Sequence, residues 1–297
     1  MDLHLPDRVD IIEVGLRDGL QSESVIIPTT IKLDIIHRLI KAGVRRIQVA
    51  SFVHPRLVPQ MADAEALCAA LPACDGVIYS GLALNVRGVE RAGAAGLQQI
   101  DIGISASDTH SRKNAHVGVA EALQQVTAMA TVARSQGMIV RAGVQCAFGC
   151  VYEGIVPVEQ VVRIVDHMLS VGIDELALAD STGMANPRQI AHMLDTLLPR
   201  VDIPVVLHLH DTRGMGLANL LVALEHGIKR FDTSFGGLGG CPFIVGAAGN
   251  IATEDTVHML DQMGVATGID WTKVATCSQT IGALLGRDLP GKLYRLI

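Results

Sequence analysis

Aromatic residues are almost missing from this chain: one tryptophan, three tyrosines and five phenylalanines are scattered over 297 residues. Rings this few offer no stacking platform for nucleic-acid bases. A core drawn from the 49% hydrophobic residues must then be aliphatic, which suits parallel strands covered by helices. Excess positive charge is absent as well. The formal net charge is −6, which argues against a nucleic-acid or anionic-membrane surface. No apolar run reaches the roughly 18–20 residues that a membrane span needs, and the first six residues carry no basic-then-apolar export pattern. Six cysteines without such a pattern do not read as a disulfide framework. No Pro/Ser tract or charge block marks a linker. These absences lead to the expectation of a cytoplasmic, single-domain enzyme with no membrane or nucleic-acid partner.

What is present is alternation. Strand-like runs at Val9–Val14, Arg46–Ala50, Val77–Leu82, Gln99–Ile104, Ile139–Val144, Leu176–Leu178, Val205–His210 and Arg230–Thr233 each precede a helix-period segment. Those helices are expected near Thr29–Ala42, Ala62–Ala70, Val86–Ala95, Val117–Gln136, Pro157–Val171, Pro187–Leu198, Gly216–His226 and Thr253–Gly264. Pro157 suits a first turn and Asn186 an N-cap. Gly43, Gly96, Gly137, Gly172, Gly227 and Gly264 sit where left-handed C-caps are expected. Such units at this length predict an α/β fold, a (β/α)8 TIM barrel over about 8–265, with a C-terminal helical extension over about 269–297. A doubly wound open sheet is the alternative. The extension is expected outside the barrel or in an oligomer contact, and a homodimer or larger homo-oligomer is anticipated.

In such a barrel, chemistry belongs where strands give way to the following loops. Polar residues gather there: Arg17-Asp18, Gln48 to Ser51, Cys146, Asp180, His208-Leu209-His210-Asp211, and Cys241 to Asn250. His208 and His210 stand at i and i+2, so on a strand they share a face, roughly 6–7 Å apart. Two imidazoles at a strand end are half of a metal site, or two unrelated polar residues. Asp18 is the natural third ligand, since a carboxylate and two imidazoles form an octahedral face with open positions. The bland alternative is that Arg17-Asp18 is a solvated turn.

The ordered segments Glu13-Val-Gly-Leu-Arg-Asp-Gly-Leu-Gln21, Ala50-Ser-Phe-Val-His-Pro55, Arg112-Lys-Asn114, Cys146-Ala-Phe-Gly-Cys-Val-Tyr-Glu-Gly154, Asp180-Ser-Thr-Gly183, His208-Leu-His-Asp-Thr212, Gly236-Gly-Leu-Gly-Gly-Cys-Pro-Phe243 and Gly249-Asn250 carry a resemblance. Over about residues 8–270 the chain resembles the 3-hydroxy-3-methylglutaryl-CoA lyase family of the DRE-TIM metallolyases. The resemblance implies retro-Claisen cleavage of a 3-hydroxyacyl-CoA to acetyl-CoA and a keto acid, with a divalent metal as cofactor, Mg2+ or Mn2+ first. It implies Asp18, His208, His210 and Asn250 around the metal, and Arg17, Asp18, His208, Asp180 and Cys241 in the catalytic set. Arg17, Gln48, Ser51, Asn85, Arg112, Lys113 and Asn114 are implied as contacts to the acyl-CoA. Whether Asp18, His208 or Cys241 accepts the hydroxyl proton stays open. Cys241 follows a loop with four glycines in five residues, suited to move over a barrel mouth.

Three positions depart from the family pattern. Gln48 stands where these lyases usually carry Glu, Gly143 where they carry a pocket Tyr, and Ala177 where Ser is common. Each change removes charge, bulk or a hydroxyl near the acyl end, so altered acyl selectivity is expected, with citramalyl-CoA or a larger 3-substituted analogue as runner-up substrate. An isopropylmalate-synthase-like condensation is a second class, although those relatives usually carry a regulatory domain that 297 residues cannot hold. A non-catalytic CoA- or metal-binding relative is the third; Cys241 and its glycine loop argue against it.

Overall fold

Eight parallel strands close on themselves in chain order: β1 (Asp10–Glu13), β2 (Arg46–Ser51), β3 (Ile78–Leu82), β4 (Gln99–Ser105), β5 (Ile139–Gln145), β6 (Glu175–Asp180), β7 (Val205–Leu209) and β8 (Arg230–Thr233). The computed structural model describes residues 3–240 and 249–297. The seam pairs β1 with β8, from Asp10 opposite Arg230 to Glu13 opposite Thr233. The closed (β/α)8 barrel is thus the one expected, and the open sheet is excluded.

Helices α1 (Thr29–Ala42), α2 (Ala64–Ala69), α3 (Val86–Ala94), α4 (Asp108–Ala115), α5 (Val119–Ser135), α6 (Val158–Val171), α7 (Pro187–Leu197), α8 (Gly216–Glu225) and α9 (Thr253–Gln262) follow the strands, all but α4 covering the outside. Asn186 caps α7 as expected, in a capping box with Gln189. The six anticipated cap glycines all take positive φ. One element departs from expectation. The segment after β4 holds the extra helix α4, separated from α5 by left-handed His116 and extended Gly118. No helix among the described residues is long and apolar enough to cross a membrane.

The extension is α10 (Trp271–Leu285), which packs outside the barrel against α1 and α9. Ser278 Oγ donates to Glu254 Oε1 at 2.8 Å. Beyond α10, Gly291 N donates to Gly236 O at 2.8 Å, and the Lys292 and Leu293 amides bind the Asp255 carboxylate. The tail therefore braces the glycine turn that follows β8.

The barrel interior stacks in layers drawn from alternate strands. At its N-terminal end Arg46, Gln99, Glu175 and Arg230 interlock, Arg46 reaching Glu175 at 2.6 and 2.9 Å and Gln99 at 2.9 Å. Arg230 bonds the same Glu175 carboxylate. Ile12, Val14, Ala177 and Val206 form a small apolar plug inside. The large aliphatic core lies instead between barrel and helices, as the period-2 strands require.

Candidate active site

β1 ends at Glu13, and the chain turns through one wide helical turn, Gly15–Gly19, with the Asp18 amide bonded to Val14 O at 2.8 Å. Glu13 holds this turn by accepting from Gly15 N at 2.7 Å, and it reaches across to Phe235 N at 3.0 Å and Thr253 Oγ1 at 2.6 Å. Burial pushes the Glu13 carboxyl up to about 8, against the pull of those three hydrogen bonds. Residue 15 has to be glycine: a Cβ there would lie 2.5 Å from the Phe235 ring and 2.7 Å from Glu13 Oε1. This anchoring places Arg17 and Asp18 over the barrel mouth.

His208 and His210 point the same way from the end of β7, with their Nε2 atoms 3.0 Å apart. Each Nε2 lies 3.9 Å from Asp18 Oδ2. Asn250 arrives by a backbone bridge to His210, supported by Asp211 N donating to Gly249 O at 2.9 Å. Its Nδ2 donates to Asp18 Oδ2 at 2.7 Å and to Leu238 O at 3.0 Å. Gly239 makes room for that amide; a Cβ there would sit 2.7 Å from Asn250 Nδ2 and 3.0 Å from Asp18 Oδ2, at a φ of +97° that already favours glycine.

These side chains fit a divalent cation. Asp18, His208 and His210 form a cluster whose ligand atoms lie within 4.8 Å of one another. Asn250 Oδ1 is buried and makes no hydrogen bond among the described residues. A buried amide oxygen left without a donor costs about 1–3 kcal/mol, a deficit that a coordinated cation removes. His208 Nδ1 faces Asp232 Oδ2 at 3.1 Å, the carboxylate–imidazole arrangement that leaves Nε2 as the metal-facing nitrogen. Charges agree with that assignment. Burial raises the Asp18 carboxyl, but Arg17 and the two histidines outweigh it and hold the group well below the usual carboxylate range. Burial, then His208, depress His210 to about 3, so its imidazole is neutral.

Arg17 donates through Nη1 to Asp18 Oδ1 at 2.5 Å and through Nε to Gln48 Oε1. A bulge in β2 between Gln48 and Ala50 resets the alternation, so that Gln48 and Ser51 both face a cavity of about 500 Å³. Arg17, Asp18, His208, His210, Lys113 and Asn114 line it as well. Lys113 Nζ lies 4.4 Å from the centroid of the Tyr152 ring, at the cavity's outer end.

Three expected site residues are placed elsewhere. Asp180 spends its carboxylate oxygens on Met184 N and Ala185 N, at 2.8 and 3.1 Å, closing the loop after β6, and it does not line the cavity. Asn85 caps α3 by accepting from Gly88 N at 2.9 Å. Arg112 is exposed and pairs with Asp108 one turn earlier in α4, at 2.7 Å. Cys241 lies outside the described residues; Gly240, just before it, lines the cavity. Sequence reasoning missed Asp101, Arg141 and Asp232 on the inner wall and His110 in α4, all of which line the cavity. The signal for Asp101 and Arg141 was available, because polar residues alternate with apolar ones along β4 and β5; Asp232 lies on the short strand β8, where Arg230 and Asp232 flank Phe231.

Comparison with known proteins agrees with this geometry. The hydroxymethylglutaryl-CoA lyase YngG of Bacillus subtilis is 41% identical, over 97% of this chain and 96% of its own. The (R)-citramalyl-CoA lyase of Chloroflexus aurantiacus is also 41% identical, over 96% and 93%. A solved structure of an HMG-CoA lyase from Acinetobacter baumannii, in complex with coenzyme A and 3-methylmalate, superposes with a TM-score of 0.93 at 39% identity, covering 97% of this chain and 95% of that one. The HMGL-like family model matches residues 8–281, and the chain belongs to the HMGL-like family.

Proposed function

We propose that the protein is a divalent-metal-dependent carbon–carbon lyase that cleaves 3-hydroxy-3-methylglutaryl-CoA, or a close 3-hydroxyacyl-CoA, to acetyl-CoA and a keto acid. The observation that carries this reading is the contact between Arg17 and the Asp18–His208–His210 cluster at the base of one cavity. In the reaction the C3 hydroxyl loses its proton, a C3 carbonyl forms as the C2–C3 bond breaks, and the electron pair passes into the thioester as an enolate. A proton returned to C2 then completes acetyl-CoA. Bound metal, Mg2+ or Mn2+, supplies Lewis-acid orientation and acidification of that hydroxyl. Arg17 presents a fixed planar cation to the thioester oxygen where charge develops. Asp232 holds the His208 ring, and Asn250 ties Asp18 to the glycine turn. Lys113, at the cavity's rim, suits the phosphates of CoA. We assign the return of the proton to Cys241, which follows cavity-lining Gly240.

The test is a panel of 3-hydroxyacyl-CoA thioesters, with methyl and larger 3-substituents, assayed for acetyl-CoA release with and without chelator. Release is expected with Mg2+ or Mn2+ and loss of it after chelation, restored by added metal. A purified, folded protein that yields no acetyl-CoA from any member refutes the reading.

A second reading concerns the acyl group. Gly103, Gly143 and Ala177 are register partners on three adjacent strands of the cavity wall. At Gly103 a Cβ would lie 2.7 Å from Gly143 O, whereas at Gly143 it would come no nearer than 3.5 Å to the Ala177 Cβ and 3.8 Å to the Ala177 and Ile102 carbonyl oxygens, all ordinary contacts. Position 143 is therefore open although the backbone tolerates a side chain there. Such a shelf favours a 3-substituent larger than methyl. Gly143→Tyr is expected to lower kcat/KM for the larger substrate against the 3-methyl one by about 10- to 100-fold, the range a pocket of this kind discriminates. An unchanged ratio would rule out the shelf as a specificity element.

A further inference from the structure

We propose that Asp101 is a positioning residue for Arg17, acting through the amide of Gln48. Gln48 is fully buried between them: Arg17 Nε donates to its Oε1, and its Nε2 donates to Asp101 Oδ2. The amide orientation is settled by chemistry, since a guanidinium only donates and an ionised carboxylate only accepts. A neutral residue thus conveys the influence of a carboxylate that never touches Arg17. Hydrogen bonds in series polarise one another, so the Gln48 oxygen facing Arg17 is more negative than that of an isolated amide.

Asp101 is built as an anchor. Its oxygens accept from Ser80 Oγ at 2.9 Å, Gln99 Nε2 at 3.0 Å and Arg141 Nε at 2.7 Å, besides Gln48. These donors come from β2, β3, β4 and β5, so four strands fix one carboxylate. It lines the cavity, yet its acceptor sites are already engaged, which suits it to holding rather than reacting. The belt continues as Arg141 Nη1 donates to Asp232 Oδ1 at 2.7 Å, and Asp232 reaches His208 at 3.1 Å. One buried chain, Arg17–Gln48–Asp101–Arg141–Asp232–His208, therefore sets the angle of the cation and of a metal-facing imidazole together. With Asp18 engaged by Asn250 and Gln21, the Gln48 contact is what fixes the Nε side of the guanidinium.

This inference rests on the lyase reading, in which Arg17 faces the thioester oxygen, and the experiment separates the two. Steady-state kinetics and thermal unfolding are measured for Gln48→Met, Gln48→Glu, Asp101→Asn and Gln48→Glu/Asp101→Asn, beside the wild type. Gln48→Met keeps the volume and cuts the relay; kcat is expected to fall about 100-fold with KM little changed, the scale for a misplaced catalytic group. Gln48→Glu sets two carboxylates against each other and should lose activity comparably. Adding Asp101→Asn removes that clash and turns a donor toward position 48, returning kcat to within about tenfold of wild type. A folded Gln48→Met with wild-type kcat overturns the proposal, as does a double variant no better than its worse parent. Recovery of melting temperature without recovery of kcat makes the belt merely structural and likewise refutes it. Should the charged variants not fold, Gln48→Met decides alone. A wild-type protein that releases no acetyl-CoA sinks the lyase reading; an active wild type with an undiminished Gln48→Met sinks only this one.

Discussion

Asp18→Ala protein will turn over at about a thousandth of the wild-type rate or less, a loss of about 4 kcal/mol in transition-state stabilisation. The size follows from how many tasks one carboxylate performs. Its Oδ1 accepts from Arg17 at 2.5 Å and from Gln21 at 3.2 Å, and its Oδ2 accepts from Asn250 at 2.7 Å while standing 3.9 Å from both histidine Nε2 atoms. Alanine removes a candidate metal ligand, frees the Arg17 guanidinium and leaves the Asn250 amide with only its bond to Leu238 O. Divalent-metal affinity, read by calorimetry, should fall with activity. Asp232→Asn offers a graded comparison. It leaves all the candidate ligands in place and disturbs only the His208 ring, so metal affinity should fall about 10- to 100-fold, the usual scale for an outer partner of a ligating histidine. Asp18→Ala protein with wild-type kcat and metal affinity would remove the metal-site assignment.

The histidine pair was legible because strand alternation is a strong constraint: i and i+2 share a face on any strand, whatever surrounds it. The barrel was legible because each helix-period segment is set off by strand runs of a different period, often with a glycine cap between. Asp108–Ala115 escaped because it carries almost no apolar face. Its signals were only local: Ser107 as N-cap, Asp108 in the first turn, and Arg112 and Lys113 in the last. Local signals of that kind are easily absorbed into a neighbouring, more periodic helix such as α5. Asp180 shows that a strand-end carboxylate can also do structural work: its two oxygens accept from two backbone amides of the next loop.

The inner belt shows what a linear pattern withholds. Gln99, Asp101, Gly103 and Ser105 alternate with isoleucines along β4, and Arg141, Gly143 and Gln145 alternate with Val140, Ala142 and Val144 along β5. In a closed barrel the apolar set faces the helices, so the polar set must point inward, and that much follows from the pattern. Pairing does not. Nothing local says that Asp101 will meet Gln48, 53 residues away, or that Arg141 will bridge to Asp232, 91 residues away. Gln48 read alone looks like a lost charge. In the folded barrel the carboxylate stands one strand-pair further round, with the amide as its intermediary.

Arg17 carries the other large effect. Its Nε is held by Gln48 and its Nη1 by Asp18, while Nη2 makes no hydrogen bond among the described residues. Arg17 lines the cavity and is 8% exposed. A guanidinium clamped on two sides with one nitrogen unengaged is a preorganised donor, and such donors act most strongly where charge develops. Arg17→Met should lower kcat about 1,000-fold or more, near the upper end for loss of one such donor. Arg17→Lys is the informative partner. If positive charge alone were needed, lysine would retain most of the activity. A lysine ammonium has no planar fork and cannot bond Gln48, Asp18 and substrate in one plane. We therefore expect Arg17→Lys to fall about 100-fold or more, with KM for the acyl-CoA changed far less than kcat, because the lost interaction forms in the transition state. A lysine variant within a few-fold of wild type would show that orientation of this cation is immaterial, and the role given to the guanidinium would have to be abandoned.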